Sequence, residues 1–347
     1  MKIVIANDNQ FAHFYERQSW AKVLKFAQYD VYFWNIQQKN VFDIFDEIKP
    51  DVIFLQGYNL TPGTIQCIKE NPQTKLVIRV SDFSKWNNEL DKTKYPVLTA
   101  SDTEKQYLQK IQQFPNDLIL HTHHHPNWLE QTHGLWQQNG FRVISIMNCA
   151  DLFSYSNGKY FPNLECDIAF IGGYWPYKAI KLDKWILPLT ESKYRTRIFG
   201  NQPWPTSSYC GFIQEDIVRH VLKSSKICPC VHESHSTEFG YDVISRPFNL
   251  LANKCFCVSD DVAGLKLLFP NQISYASTPE IFQEKIAYYM KNDDKREKLT
   301  RSGFEAVIKE HTAFDRMISV FKELNLSTDQ IELAKTKFLT HLENTNG

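Results

Sequence analysis

The sequence predicts an α/β fold of two doubly wound parallel-sheet domains in tandem, and three observations carry that reading. Short apolar runs alternate with amphipathic stretches along nearly the whole chain, and parallel strands need crossovers of about a dozen residues. At 347 residues and 43% hydrophobic, the chain is long for one core and apolar enough to fill two. One stretch, DLFSYSNGKYFPNLE at 151–165, breaks the rhythm with polar and aromatic residues and reads as an interdomain linker.

In the first domain, residues 1–150, apolar runs predict strands at 2–6, 31–34, 51–55, 76–80, 97–99, 118–121 and 143–147. Amphipathic stretches at 14–27, 41–48, 102–112 and 127–139 supply the helices between them. The second domain, residues 166–325, repeats the pattern with strands at 167–171, 196–199, 226–231, 255–259 and 273–275. Helices are expected after Pro176, over 214–222 and through Phe248 and Leu251. Ser277 and Glu280 have capping-box spacing ahead of Ile281, Phe282, Ile286 and Tyr289 on one helical face. A helix over 312–324 follows. The last helix, within 326–347, starts at Ser327 and presents Ile331, Ala334, Phe338 and Leu342 to a core, its own domain's or, crossing back, the first domain's.

Lys plus Arg and Asp plus Glu number 39 each, so no long-range field draws the chain to nucleic acid or anionic lipid. MKIVIAND opens a strand at once, with no signal-peptide h-region, and no apolar run of about 18 residues follows, so a soluble cytoplasmic protein without a transmembrane segment is expected. Cys228 with Cys230 and Cys255 with Cys257 are C-x-C pairs inside apolar strands, which reads as free core thiols.

The stretch from Lys226 to Asp260, KICPCVHESHSTEFGYDVISRPFNLLANKCFCVSD, is strand, polar turn, helix and strand. With Ser225 to Ile227, the Gly240-Tyr241-Asp242 turn, Arg246-Pro247-Phe248 and the continuation CFCVSDDVAGLKLLFP, it resembles the donor-binding segment of GT-B glycosyltransferases, most closely the CgeB-like family. Upstream CDIAFIGGYWP and RIFGNQPWP, and downstream ISYASTPEIFQEKIAYYMKNDDKREKLTRSGFEAVIKEHTAFDR, extend the resemblance over most of 165–325. It covers the first half only weakly. The resemblance implies a GT-B fold, two Rossmann-like domains facing a central cleft. It implies metal-independent, hexosyltransferase-type transfer of a sugar from a nucleotide-diphosphate donor, a UDP-sugar first and a GDP-sugar second, to a hydroxyl acceptor on a glycan, lipid-linked molecule, protein or nucleobase. No cofactor is implied. The alternative is a GT-B-shaped nucleotide-binding or scaffold protein without turnover. A bilobal small-ligand receptor is a third reading, disfavoured by the missing export signal.

A diphosphate is gripped by backbone N–H groups at glycine turns and helix N-termini, with Lys or Arg beside them. Gly172-Gly173 after a strand, with Tyr174, Lys178 and the second glycine turn at Gly200, fits that requirement. Arg246 matches the family's R-x-F-E motif, with Asn249 standing where the family has Glu. Glu238 and Tyr241 are candidate sugar or nucleotide contacts, and Gly240 permits close backbone approach. Neither Glu233 nor Glu238 has a Glu eight positions on, so the retaining E-x7-E pair is absent and an inverting mechanism is preferred. Asp8 or His13 is the candidate base for the acceptor hydroxyl, with His123 and His124 past the strand DLILH as rival candidates. The run HTHHHP places His121, His123 and His125 on one face, but no carboxylate or Cys stands at ligand spacing, so no metal site is expected and Asp260-Asp261 reads as a turn.

Overall fold

The computed structural model describes residues 1–7, 11–91 and 98–346. They divide into two compact units, Met1–Met147 with Ala313–Gly347, and Asn148–Thr312.

In the first unit the strands are β1 (Lys2–Asn7), β2 (Asp30–Asn35), β3 (Val52–Gln56), β4 (Lys75–Arg79), β5 (Leu118–Thr122) and β6 (Val143–Ser145). They form one parallel sheet in the order β2-β1-β3-β4-β5-β6. Every residue of β3 is buried, as expected of a sheet covered on both faces. Helices start where a side chain satisfies an orphan N–H: Asn40 Oδ1 accepts from Phe42 N, and Ser101 Oγ from Glu104 N. The helix Pro62–Glu70, absent from the sequence reading, is capped in the same way by Thr61. Of the strand expected at 97–99, Val97 lies outside the described residues, and Thr99 makes only an isolated bridge to Asp82.

The helices Ala313–Glu323 and Asp329–Asn346 also lie in the first unit. The sequence reading kept residues up to 325 in the second domain, whereas the division falls after Thr312. Aromatic packing explains it. Phe314 and Phe338 both meet Phe26, with ring centroids 6.4 and 5.8 Å away, and Phe321 meets Tyr29 at 5.3 Å.

The second unit contains β7 (Cys166–Ile171), β8 (Thr196–Phe199), β9 (Ser225–Cys230), β10 (Cys257–Asp260) and β11 (Ser274–Ala276). Their order is β11-β10-β9-β7-β8, all parallel. Connections run one way from β7 to β8 and the other way through β9, so the topological switch point lies between β7 and β9, where open α/β sheets bind their ligands. The helix Pro279–Tyr289 is capped by Thr278, not Ser277, with Thr278 Oγ1 accepting from Ile281 N. All eight cysteines are free.

The stretch read as a linker is strapped to the second unit. Side chains accept hydrogen bonds from its backbone at four points: Asn249 Oδ1 from Asp151 N (3.1 Å), Asn253 Oδ1 from Gly158 N (3.1 Å), His220 Nδ1 from Lys159 N (3.0 Å) and Ser224 Oγ from Phe161 N (2.9 Å). Removing the Asn249 amide leaves the Asp151 N–H without that acceptor. Asn249→Ala is expected to cost about 1–2 kcal/mol in urea unfolding and to leave nucleotide affinity unchanged.

Candidate functional site

The carboxyl ends of β7 and β9 carry the main concentration of candidate residues. A pocket there is lined by Gly172, Gly173, Lys178, His232, Glu233 and Arg246, among others. Its glycines are dictated by space. A Cβ on Gly200 would lie 2.3 Å from the Gly172 carbonyl oxygen, and one on Gly172 would lie 2.9 Å from Arg246 Nη2. The two turns therefore nest backbone to backbone, tied by Gly172 N donating to Phe199 O at 2.7 Å. Because the obstacle at Gly200 is backbone, Gly200→Ala is expected to destabilise the second unit by about 3 kcal/mol, the upper end of usual overpacking costs, read by urea unfolding.

Arg246 is the first residue of the helix Arg246–Ala252. Its guanidinium donates to the carbonyl of Ile171 (2.9 Å) at the end of β7 and to that of Val231 (3.3 Å) just past β9, and it lies 4.5 Å from the Phe170 ring centroid. It thus bridges the two strands that flank the switch point. Among the described residues it forms no ion pair. Lys178, by contrast, is paired with Glu233 at 2.8 Å.

Beneath the pocket lies a charged hub. The turn residue of the sequence reading, Asp260, is fully buried: its Oδ1 is 2.7 Å from His232 Nδ1, and its Oδ2 accepts from His232 N at 3.0 Å and is 2.6 Å from Lys181 Nζ. Burial favours the neutral acid, but the charges and hydrogen bonds of His232 and Lys181 win and hold the carboxyl well below the usual carboxylate range. Burial opposes a charge on His232 as well, and the Cys230 sulfur and Asp260 outweigh it and raise its pKa. His235, 3.1 Å from Asp242 Oδ2, is raised against burial by that hydrogen bond and by the charges of Asp242 and Glu233.

The sign of the resulting pH dependence follows. A His whose folded pKa exceeds the unfolded value of about 6.5 contributes stability in full below that pH and loses it as pH rises through the folded pKa. Asp260, depressed, contributes above about pH 3.9 and loses its share as pH falls through the folded value. The second unit should therefore melt lower at pH 8.5 than at pH 6, with a smaller difference in His235→Asn, read by calorimetry.

Other expected site residues sit elsewhere. Tyr241 is 1% exposed and stacked on Phe239, so its ring is core. Tyr174 packs on Trp204 and hydrogen-bonds Asp183, which, with burial, raises its phenol to about 12. Glu238 is exposed on the short helix Ser234–Phe239, and Gly240 ends that helix with φ 79°. Asn249 faces the backbone at Asp151 instead of the pocket. Sequence reasoning missed Lys181 and read Asp260 as a turn residue; His232 it named only as one residue of the polar turn past a strand end, without assigning it a contact.

Asp8 and the side chain of His13 lie outside the described residues. His123 Nδ1 is 2.7 Å from Arg79 Nη2. Guanidinium nitrogens only donate, so this nitrogen accepts and Nε2 of the neutral ring carries the proton. As placed, His123 is a donor, with no lone pair left to take a proton from a hydroxyl. Nearby, Asp82, His124 and His133 form a buried cluster. Burial pushes the pKa of His133 down to about 3, which keeps its imidazole neutral.

No helix among the described residues is long and apolar enough to cross a membrane. No curated protein matches the chain in sequence. Residues 181–321 match a family model described as glycosyl transferase-like. Among solved structures, a sucrose-phosphate synthase from Thermosynechococcus elongatus superposes with TM-score 0.62 at 10% identity, covering 93% of this chain and 99% of that one. T4 phage BGT in complex with UDP and Mn2+ gives 0.58 at 13%, covering 94% and 100%. Anabaena HepE in complex with UDP and glucose gives 0.57 at 11%, covering 94% and 99%. The chain is similar to these proteins over nearly its whole length, and its fold is that of the GT-B glycosyltransferases.

Proposed function

We propose that the protein is a glycosyltransferase that takes a sugar from a UDP-sugar and transfers it to a hydroxyl acceptor. The observation that carries this is Arg246, a guanidinium without an acidic partner among the described residues, bound to the carbonyls at the ends of both strands at the switch point of the second sheet. A diphosphate placed there meets Arg246, the Gly172-Gly173 turn and the N-terminus of the helix Pro176–Trp185, with Lys178 able to leave Glu233 for the second phosphate. These groups neutralise the leaving UDP as charge develops on it, the electrostatic part of transfer catalysis. UDP is favoured as the nucleotide because the T4 phage and Anabaena structures carry it. Asp8 or His13 is assigned as the base that deprotonates the acceptor, in an inverting displacement. Within this reading the chain resembles the CgeB-like branch, and the transferred group is a hexose.

A second reading, nucleotide binding without turnover, is favoured by one observation: Asn249, where the resembled family has a ribose-binding Glu, is engaged with the Asp151 backbone. UDP release from UDP-glucose, measured with a panel of sugar and lipid-linked acceptors, separates the two. Release that depends on an acceptor supports transfer; UDP binding with no release from any UDP-sugar supports the second reading.

A further inference from the structure

The cluster Asp82, His124 and His133 in the first unit has no part in the donor site, and each residue comes from a different segment. Asp82 follows β4, His124 follows β5, and His133 sits in the helix Leu129–Gln138. All three are buried, at 5%, 5% and 0% exposure. One ligand atom of each lies within 4.8 Å of the other two. Asp82 Oδ1 is 3.7 Å from His124 Nδ1 and 3.7 Å from His133 Nε2. Donors bound at about 2.1 Å to one zinc-like ion stand roughly 3.4–3.6 Å apart, so the two Asp82 edges are within a few tenths of an ångström of that spacing. The edge between the two imidazoles, within 4.8 Å, closes with a shift of at most about an ångström.

The surroundings are those of a ligand set. His133 Nδ1 meets the Thr132 hydroxyl at 2.8 Å, while its fully buried Nε2, the atom facing Asp82, has no hydrogen-bond partner among the described residues. Leaving such a nitrogen unmatched in the interior is costly, and a cation supplies the missing partner. Asp82 Oδ2 accepts from Asn87 Nδ2 at 3.3 Å, which turns Oδ1 toward the two imidazoles. Outer hydrogen bonds of this kind orient ligands in metal sites.

We propose that Asp82, His124 and His133 bind a divalent transition metal of the zinc class, which ties the segments after β4 and β5 to the helix Leu129–Gln138. Two imidazoles and one carboxylate suit zinc or cobalt better than the oxygen-seeking magnesium or calcium. A water completes the coordination. The cluster belongs to the first unit and the candidate donor residues to the second, and the proposal makes no demand on how the sugar is transferred. HTHHHP drew attention to His121, His123 and His125; the structure instead selects His124 and brings His133 and Asp82 to it from positions that no sequence spacing connects.

The test uses the full chain. Metal content is measured by mass spectrometry after purification without chelator or metal-affinity resin, and cobalt is then titrated into chelator-stripped protein. The expected result is about one metal per chain and visible d–d bands of a nitrogen and oxygen site, with the melting temperature of stripped protein rising by several degrees on adding zinc. His133→Gln and Asp82→Asn should lose the bands and the zinc-dependent rise. Wild type without metal or bands overturns the proposal, as does an intense near-ultraviolet thiolate charge-transfer band, which places the metal on cysteines. Bands retained in folded His133→Gln also overturn it. If both variants fail to fold, the wild-type spectrum and the zinc-dependent rise decide.

Discussion

Replacing Asp260 by Ala is expected to destabilise the second unit by about 3–5 kcal/mol, the usual consequence of stripping one partner from a buried charge group. The carboxylate is fully buried with His232, while Lys181 is 12% exposed. Without the carboxylate, His232 and Lys181 lose the counter-charge they share, and the buried His232 N–H loses its acceptor. At this size the change corresponds to a fall of roughly ten degrees in melting temperature. Asp260→Asn keeps an oxygen acceptor and should lie between Ala and wild type. The hub also joins the helix Pro176–Trp185, through Lys181, to the strand end bearing His232, so UDP affinity should fall along with stability. Melting of Asp260→Ala within a degree of wild type would show that the hub does not hold these elements.

Arg246→Ala is expected to weaken UDP binding by about 10- to 150-fold, equivalent to the loss of about 1.5–3 kcal/mol of charged hydrogen bonds. Its two carbonyl partners and the face of Phe170 fix the guanidinium before any ligand arrives, so little side-chain entropy remains to be lost on binding. Arg246→Lys keeps the charge but not the planar fork, and an ammonium cannot bond both carbonyls and a diphosphate in the same geometry. It should recover only part of the affinity.

The alternation of strand and helix was legible because both parallel sheets are covered on both faces, which leaves short apolar runs such as VIFL in β3 and IAFI in β7. The placement of Arg246 and the glycine turns at the strand ends of the second sheet was legible from their order and neighbours. What escaped the sequence reading depends on contacts between distant residues. The helix Ser234–Phe239 is SHSTEF, polar but for its last residue and only six residues long, with no apolar stripe to mark it. The stretch 151–165 has a linker's composition, and nothing in its own residues shows that Asn249, Asn253, His220 and Ser224 bond to its backbone. Asp260 looked like half of an acidic turn, yet β10 carries it inside, where His232 and Lys181 arrive from other strand ends and helices. Tyr241 looked like a ligand contact beside a glycine and is core.

The measurement that bears most directly on the central claim is calorimetric titration of UDP into wild type, Arg246→Ala and Arg246→Lys at one ionic strength. Arg246 as the diphosphate clamp predicts saturable binding to wild type, a dissociation constant about 10- to 150-fold higher for Ala, and an intermediate value for Lys. Equal affinity in wild type and folded Arg246→Ala, or no binding of UDP by wild type, would contradict it.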